Sequence, residues 1–311
     1  MKWIKKGRIF KPAQQVDWMY SHAQCPTAIV LEDRIRVFFS ARLENQQSLP
    51  TYIDLDKDNP LQIIELNQKP LLNRGRLGTF DENGIIPSFF IEKEDELLFY
   101  YAGWSQCRNV PYKNFTGLAI SKDRGLTFEK YSEAPVFSLN KFDPLSATGP
   151  CVIKKGDIYY AIYSTGNEWL KINDKLEHTY HLTYAISENA IDWQPTGKII
   201  LNPELNDDAE CKPTIIEIDG LYHMWFSTRG SSNFRSPGET SYRLGYATSS
   251  DLVNWERKDN SVGITISEEG WDSEMICYPH IVNVEGKYLM FYNGNGFGAS
   301  GFGYAELEIT K

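Results

Sequence analysis

Short apolar runs separated by polar turns recur along this chain with a period near sixty residues. Pro26, Pro87, Pro150, Pro213 and Pro279 lie 61, 63, 63 and 66 residues apart. Each opens or precedes an apolar run, at 27–31, 88–91, 151–153, 214–218 and 280–284. A turn carrying charge or glycine follows (Glu32-Asp33, Glu94-Asp95, Gly156-Asp157, Asp219-Gly220, Glu285-Gly286), then a second apolar or aromatic run at 35–40, 97–102, 158–163, 221–227 and 288–292. Such pairs predict antiparallel hairpins. A third run repeats as Leu118-Ala119-Ile120-Ser121, Tyr184-Ala185-Ile186-Ser187, Tyr246-Ala247-Thr248-Ser249 and Tyr304-Ala305-Glu306-Leu307, with Tyr52-Ile53-Asp54 a weaker copy. A polar turn and an aromatic residue (Phe128, Trp193, Trp255) lead to fourth runs ending near Phe137, Ile200 and Ile264. Helical periodicity is nearly missing.

Five repeats of four antiparallel strands predict an all-β protein, a five-bladed β-propeller forming one domain over residues 1–311. The last unit reaches Lys311 after its third strand, which leaves an edge to cover. Residues 3–10 have the pattern of a fourth strand, so the N-terminal strand is expected to close the last blade.

Composition narrows the function. There are 32 Lys+Arg against 41 Asp+Glu, a net charge of −9, which disfavours nucleic acid as a partner. No apolar run approaches the roughly 18–20 residues of a membrane helix, so no membrane insertion is expected. The charged N-terminus shows no apolar signal core, and five cysteines form no CxxC pair. The expectation is a cytoplasmic protein with free thiols.

In a propeller the residues leading into each first strand meet at one mouth of the central channel. Four of these five segments hold carboxylates: Asp81 and Glu82, Asp143, Glu210, and Glu274. The remaining one holds His22. Clustered carboxylates raise one another's pKa, which keeps one protonated as an acid at neutral pH. The ends of the second strands add Arg42, Trp104 and Arg229, and Arg243 leads into a third strand. Arginine beside carboxylates suits paired sugar hydroxyls or an anionic substituent, and exposed aromatic rings suit the apolar face of a sugar.

These features resemble the five-bladed propeller glycosidases of the invertase, arabinanase and levansucrase superfamily and the related β-mannoside phosphorylases. Residues 247–255, Ala-Thr-Ser-Ser-Asp-Leu-Val-Asn-Trp, are similar to their strand–turn–aromatic phrase. Glu210-Cys211 ahead of Pro213 resembles their Glu-Cys acid/base motif, with Lys212 intervening. Asp143-Pro144 resembles the Asp-Pro of their transition-state-stabilising aspartate, with Phe142 where they carry arginine. The family's first-blade aspartate has no counterpart in Tyr20-Ser21-His22-Ala23-Gln24. Residues 121–128 match an Asp-box, a turn of the outer hairpin.

The reading that results is a carbohydrate-active enzyme, a glycoside hydrolase working by carboxylate acid/base catalysis in the funnel. Glu210 is its general acid, with neighbouring Asp207 and Asp208 raising its pKa. Asp81 or Glu82, or else Glu274, serves as base, and Asp143 stabilises developing positive charge. Two alternatives stay open. An inverting phosphorylase or a glycosyltransferase would bind a sugar phosphate or phosphate through His22, Arg42, Lys212, Arg229, Arg243 and His280. A sugar-binding propeller would do no chemistry. No cofactor or metal is expected. His178 and His181 face opposite sides of a strand and do not share a metal, and no ligand spacing specifies a structural calcium. Gly294-Asn295-Gly296-Phe297-Gly298 precedes no helix and is not a dinucleotide motif.

Overall fold

A computed structural model describes residues 1–201 and 209–309. The chain is all-β, and its described residues contain no α-helix. Its strands fall into hairpin-linked groups at the period of the repeat. The first group comprises β2 (Ser21–Val30), β3 (Arg34–Arg42), β4 (Ser48–Asp56) and β5 (Ile63–Leu66). Next come β6 (Gly84–Lys93), β7 (Glu96–Gln106), β8 (Tyr112–Ser121) and β9 (Glu129–Lys130), followed by β10 (Ala147–Lys155), β11 (Ile158–Ile172), β12 (Lys175–Ser187) and β13 (Gln194–Ile199). The fourth is β14 (Ala209–Ile218), β15 (Leu221–Arg229), β16 (Arg243–Ser249) and β17 (Glu256–Arg257). The fifth is β18 (Cys277–Val284), β19 (Lys287–Asn293) and β20 (Phe302–Glu308).

Pairing within each group is antiparallel. The N-terminal strand β1 (Lys2–Phe10) lies antiparallel against β20, with Trp3 opposite Leu307 and Lys5 opposite Ala305. Packing between groups runs through the first strands. Strand β2 touches β6 and β18, β6 touches β10, β10 touches β14, and β14 touches β18. Apolar clusters fill the space between neighbouring groups, as where Trp225 and Tyr246 of the fourth meet Met290 and Ala305 of the fifth and Trp3 of β1.

Two of the fourth strands, β9 and β17, are shorter than the apolar pattern implies, whereas β13 runs to Ile199 as expected. Val262 and Ile264 are core-packing residues beyond β17, and the Val262 carbonyl accepts the Trp225 indole N–H at 2.9 Å. Phe137 makes an isolated bridge to Thr116.

Candidate active site

Each recurring proline marks a break in its first strand. Ladder register shifts at this point in all five units. In four of them the residue just before the proline takes a left-handed backbone: Cys25 (φ 54°), Gly149 (φ 68°), Lys212 (φ 52°) and Tyr278 (φ 57°). Three of these are not glycine, and such strain persists only where surrounding structure holds it. All four residues line one cavity of about 760 Å³. Pro87 and Ser88 of the remaining unit line it too, so every first strand contributes. The ends of the second strands supply Arg42, Trp104, Trp169 and Arg229.

The cavity gathers cations. Lys212 is 5% exposed and its Nζ donates to the Ser88 carbonyl at 2.6 Å; burial lowers its pKa. Arg42 donates through Nε to Gln24 Oε1 at 3.0 Å, and burial lowers its pKa as well. Arg229 donates to the Tyr242 hydroxyl and to the His178 and Gly230 carbonyls, and its guanidinium lies 3.6 Å from the Phe234 ring centroid. Among the described residues, none of these three cations forms an ion pair with a carboxylate. Arg235 does, with Glu177, which is the one carboxylate of the described cavity lining. His22 also lines the cavity; burial, then Arg42, lowers its pKa to about 4. Two thiols face the same space, Cys25 and Cys211, with pKa values pushed by burial up to about 12 and about 11. Both are neutral.

Aromatic rings form one wall. Trp169 stacks on His178 with centroids 4.4 Å apart and planes within 8°, and Tyr112 meets both edge-on. Trp104 donates its indole N–H to Ser48 Oγ at 2.9 Å. The extended hairpin β11–β12 carries Trp169, Glu177 and His178. The sequence reading missed Trp169 and Glu177 and weighed His178 only as a metal ligand; the strands of 15 and 13 residues, longer than any first strand, make this a projecting hairpin.

The funnel carboxylates of the sequence reading occupy other places. Asp81 is 1% exposed and accepts from the Tyr101 hydroxyl at 3.1 Å and Lys130 Nζ at 2.5 Å. Asp143 accepts from the Tyr163 hydroxyl at 2.8 Å and Asn140 Nδ2 at 2.6 Å. Asp272 accepts from the Tyr292 hydroxyl at 2.9 Å and Lys5 Nζ at 2.6 Å. In every case the tyrosine follows the aspartate by 20 residues. The first unit has Met19 and Phe39 at that spacing, both buried in one apolar cluster. In these three units the periodic aspartate ties the strand entry to its neighbouring strand. Glu210, fully buried, accepts from Arg257 Nη1 at 2.8 Å and from the Leu182 N–H. Glu82 accepts from the Gly78 N–H, and Glu274 is exposed with its carbonyl held by Arg243. None of these five predicted catalytic residues lines the cavity. Asp207 and Asp208 lie outside the described residues.

Of the predicted binding residues, His22, Arg42, Trp104, Lys212 and Arg229 come together in the cavity. Arg243 spends its donors on the carbonyls of Tyr242, Glu274 and Gly238. His280 sits behind the wall, Nε2 2.9 Å from the Ala28 carbonyl. His178 and His181 diverge: the first lines the cavity and the second lies 4.0 Å from Glu210. The Asp-box turn is built by Asp123, which accepts from Leu126 N, Thr127 N and Thr127 Oγ1.

No family model matches the chain. The uncharacterized protein Rv1502 of Mycobacterium tuberculosis (strain ATCC 25618 / H37Rv) is 34% identical over 310 residues, 99% of this chain and 100% of that one. A 1,2-β-oligomannan phosphorylase of Thermoanaerobacter sp. (strain X514) is 30% identical over 113 residues, 36% of this chain and 34% of its own. A solved structure from the GH130 family of mannoside phosphorylases, which contains hydrolases targeting β-1,2-mannosidic linkages in Candida mannan, superposes with a TM-score of 0.74. It shares 15% identity, and the match covers 99% of this chain and 94% of that one.

Proposed function

The chain belongs to the family of the M. tuberculosis protein Rv1502, and from that premise and the chemistry of its cavity we propose that it is a carbohydrate-active enzyme that cleaves a glycosidic bond with inorganic phosphate. One observation carries this reading. The described cavity lining holds three cations without a carboxylate partner, Arg42, Lys212 and Arg229, and a single carboxylate, Glu177. Two-carboxylate hydrolysis needs a second acid about 5–10 Å across the sugar. Inverting phosphorolysis needs one proton donor, because the phosphate is itself the nucleophile. Buried cations with no counter-ion are costly until an anion joins them, and phosphate meets arginine and lysine through charge-assisted hydrogen bonds. Glu177 is the candidate proton donor to the departing oxygen, a role that requires bound substrate to draw Arg235 off its carboxylate so that it can carry a proton, and the Trp169 and Trp104 rings are platforms for the sugar.

The wider reading is a single-domain, closed five-bladed propeller whose first strands surround the cavity. The cyclic packing of β2, β6, β10, β14 and β18 and the seat of β1 on β20 support it. Five free cysteines support a reducing, cytoplasmic setting. No helix of the described residues is long and apolar enough to cross a membrane. The partial match to an oligomannan phosphorylase makes β-1,2-mannobiose the first substrate to try.

The test is the initial rate of β-1,2-mannobiose cleavage against phosphate concentration. The expected result is saturable dependence on phosphate. Arg42→Gln should raise the KM for phosphate by about 10- to 100-fold, the worth of a lost hydrogen bond to a charged group. Hexose release at a rate indifferent to phosphate would return the reaction to hydrolysis.

A further inference from the structure

Four buried polar atoms without a protein partner belong to residues that line the cavity. His178 leaves both Nδ1 and Nε2 unbonded although the residue is only 4% exposed, and Asn114 Oδ1 and Thr148 Oγ1 are unbonded too. All three residues line the cavity. They are neighbours through the sheet. Asn114 sits opposite Trp104 in β8, next to Phe115, which pairs with Ala147 beside Thr148. His178 sits opposite Trp169 in the β11–β12 hairpin. A side chain at Gly166 would run into both His178 Nε2 and Ser146 Oγ, so the imidazole stands over the start of β10.

The ring is immobilised on several sides yet polar-unsatisfied. Trp169 stacks beneath it, while Tyr112 and Tyr180 abut it edge-on. Its own carbonyl accepts from Arg229 Nη2 at 2.6 Å, and the preceding residue, Glu177, is clasped by Arg235. A buried polar group normally finds a partner, and leaving one unmet costs free energy. Burial, then Arg229, holds the His178 pKa at about 4, so the ring is neutral at pH 7 with one N–H donor and one lone-pair acceptor. That pairing suits a hydroxyl, which both donates and accepts; it adds no charge for a phosphate.

Resting on the reading of this cavity as a sugar site, we propose that His178 is the specificity-determining residue of the sugar subsite, reading substrate hydroxyls together with Asn114 and Thr148. The division of labour follows from chemistry. Arg42 and Lys212 take the anion, and the His178 wall takes the neutral polyol, with Trp169 fixing the imidazole orientation. A substrate hydroxyl bridging the wall completes hydrogen bonds that the free protein lacks, so analogues without that hydroxyl are rejected.

The test compares wild type, His178→Phe and His178→Gln in β-1,2-mannobiose phosphorolysis. It is paired with long-range imidazole 15N spectra of the wild type titrated with mannose, and separately with inorganic phosphate. Phe keeps the stack on Trp169 and removes both nitrogens; Gln restores one donor and one acceptor. The expected result is a loss of about 10- to 100-fold in kcat/KM for mannobiose in His178→Phe, the cost of stranding a hydroxyl. His178→Gln should recover most of it, and the KM for phosphate should stay unchanged in both. Mannose should move the His178 nitrogen resonances while they keep a neutral tautomer pattern, and phosphate should leave them in place. Wild-type turnover with an equal kcat/KM in a folded His178→Phe overturns this inference and spares the proposed function. Should His178→Phe fail to fold, unmoved His178 resonances in sugar-saturated wild type overturn it alone. A wild type that neither cleaves mannobiose nor responds to mannose overturns both.

Discussion

At the scale of single residues, exposure and partners decide which side chains face the cavity. Half-buried His22 and buried His178 and His280 have imidazole pKa values lowered to about 4, 4 and 3, with desolvation the largest cause in each. An unfolded histidine titrates near 6.5. Between pH 6.5 and the folded values the unfolded chain therefore binds more protons, so stability is lost as pH falls through that window. Each such group contributes a slope of about 1.4 kcal/mol per pH unit. His280→Gln, which keeps a donor for the Ala28 carbonyl, should flatten the decline in urea-unfolding free energy between pH 6.5 and 5. An unchanged slope would show that His280 charges inside the fold. At this scale the sequence was an uneven guide. The cations Arg42, Lys212 and Arg229 were legible because they sit at repeat-defined phases. His178 and Glu177 were not, because they lie on hairpin ends that one unit extends and the others do not.

At the scale of the element, the repeat sets carboxylates at strand entries, and the structure shows what those carboxylates bond to. Acidic residues ahead of four of the five first strands are what a funnel of catalytic acids would show. Asp81, Asp143 and Asp272 instead each receive a tyrosine hydroxyl 20 positions later, and two also receive a lysine. Sequence gives phase, not the direction of a side chain, and these carboxylates turn toward the adjoining strand. The Asp272–Lys5 pair joins the fifth group to β1, so it should carry stability. Asp272→Ala strands Lys5 and the Tyr292 hydroxyl and should cost about 3 kcal/mol, whereas Tyr292→Phe should cost about 1 kcal/mol. Equal and negligible losses in denaturant titrations would mean that the pair is not part of what seats β1. The hairpins were readable from their apolar runs and turns. The fourth strand ending at Ile199 was readable, but those of the second and fourth units were drawn too long, because apolar residues such as Phe137 and Ile264 serve the core and only two residues of β9 and of β17 pair in the ladder.

At the scale of the whole molecule, net charge and local charge have opposite signs. The chain carries −9 overall, yet its main cavity collects Arg42, Lys212, Arg229 and Arg235 against Glu177. Average composition excludes partners; it does not describe a site assembled from five distant segments. Those segments were traceable because the proline before each break recurs, and at four of the five breaks the residue just ahead of it has a left-handed backbone and faces the cavity. The central claim is that the anion gathered there is the attacking group. Running the cleavage of β-1,2-mannobiose in H2 18O with unlabelled phosphate, and weighing the products, tests it most directly. The account predicts one sugar phosphate, with no heavy oxygen at the cleaved carbon, for each hexose freed; two free hexoses and no sugar phosphate would contradict it.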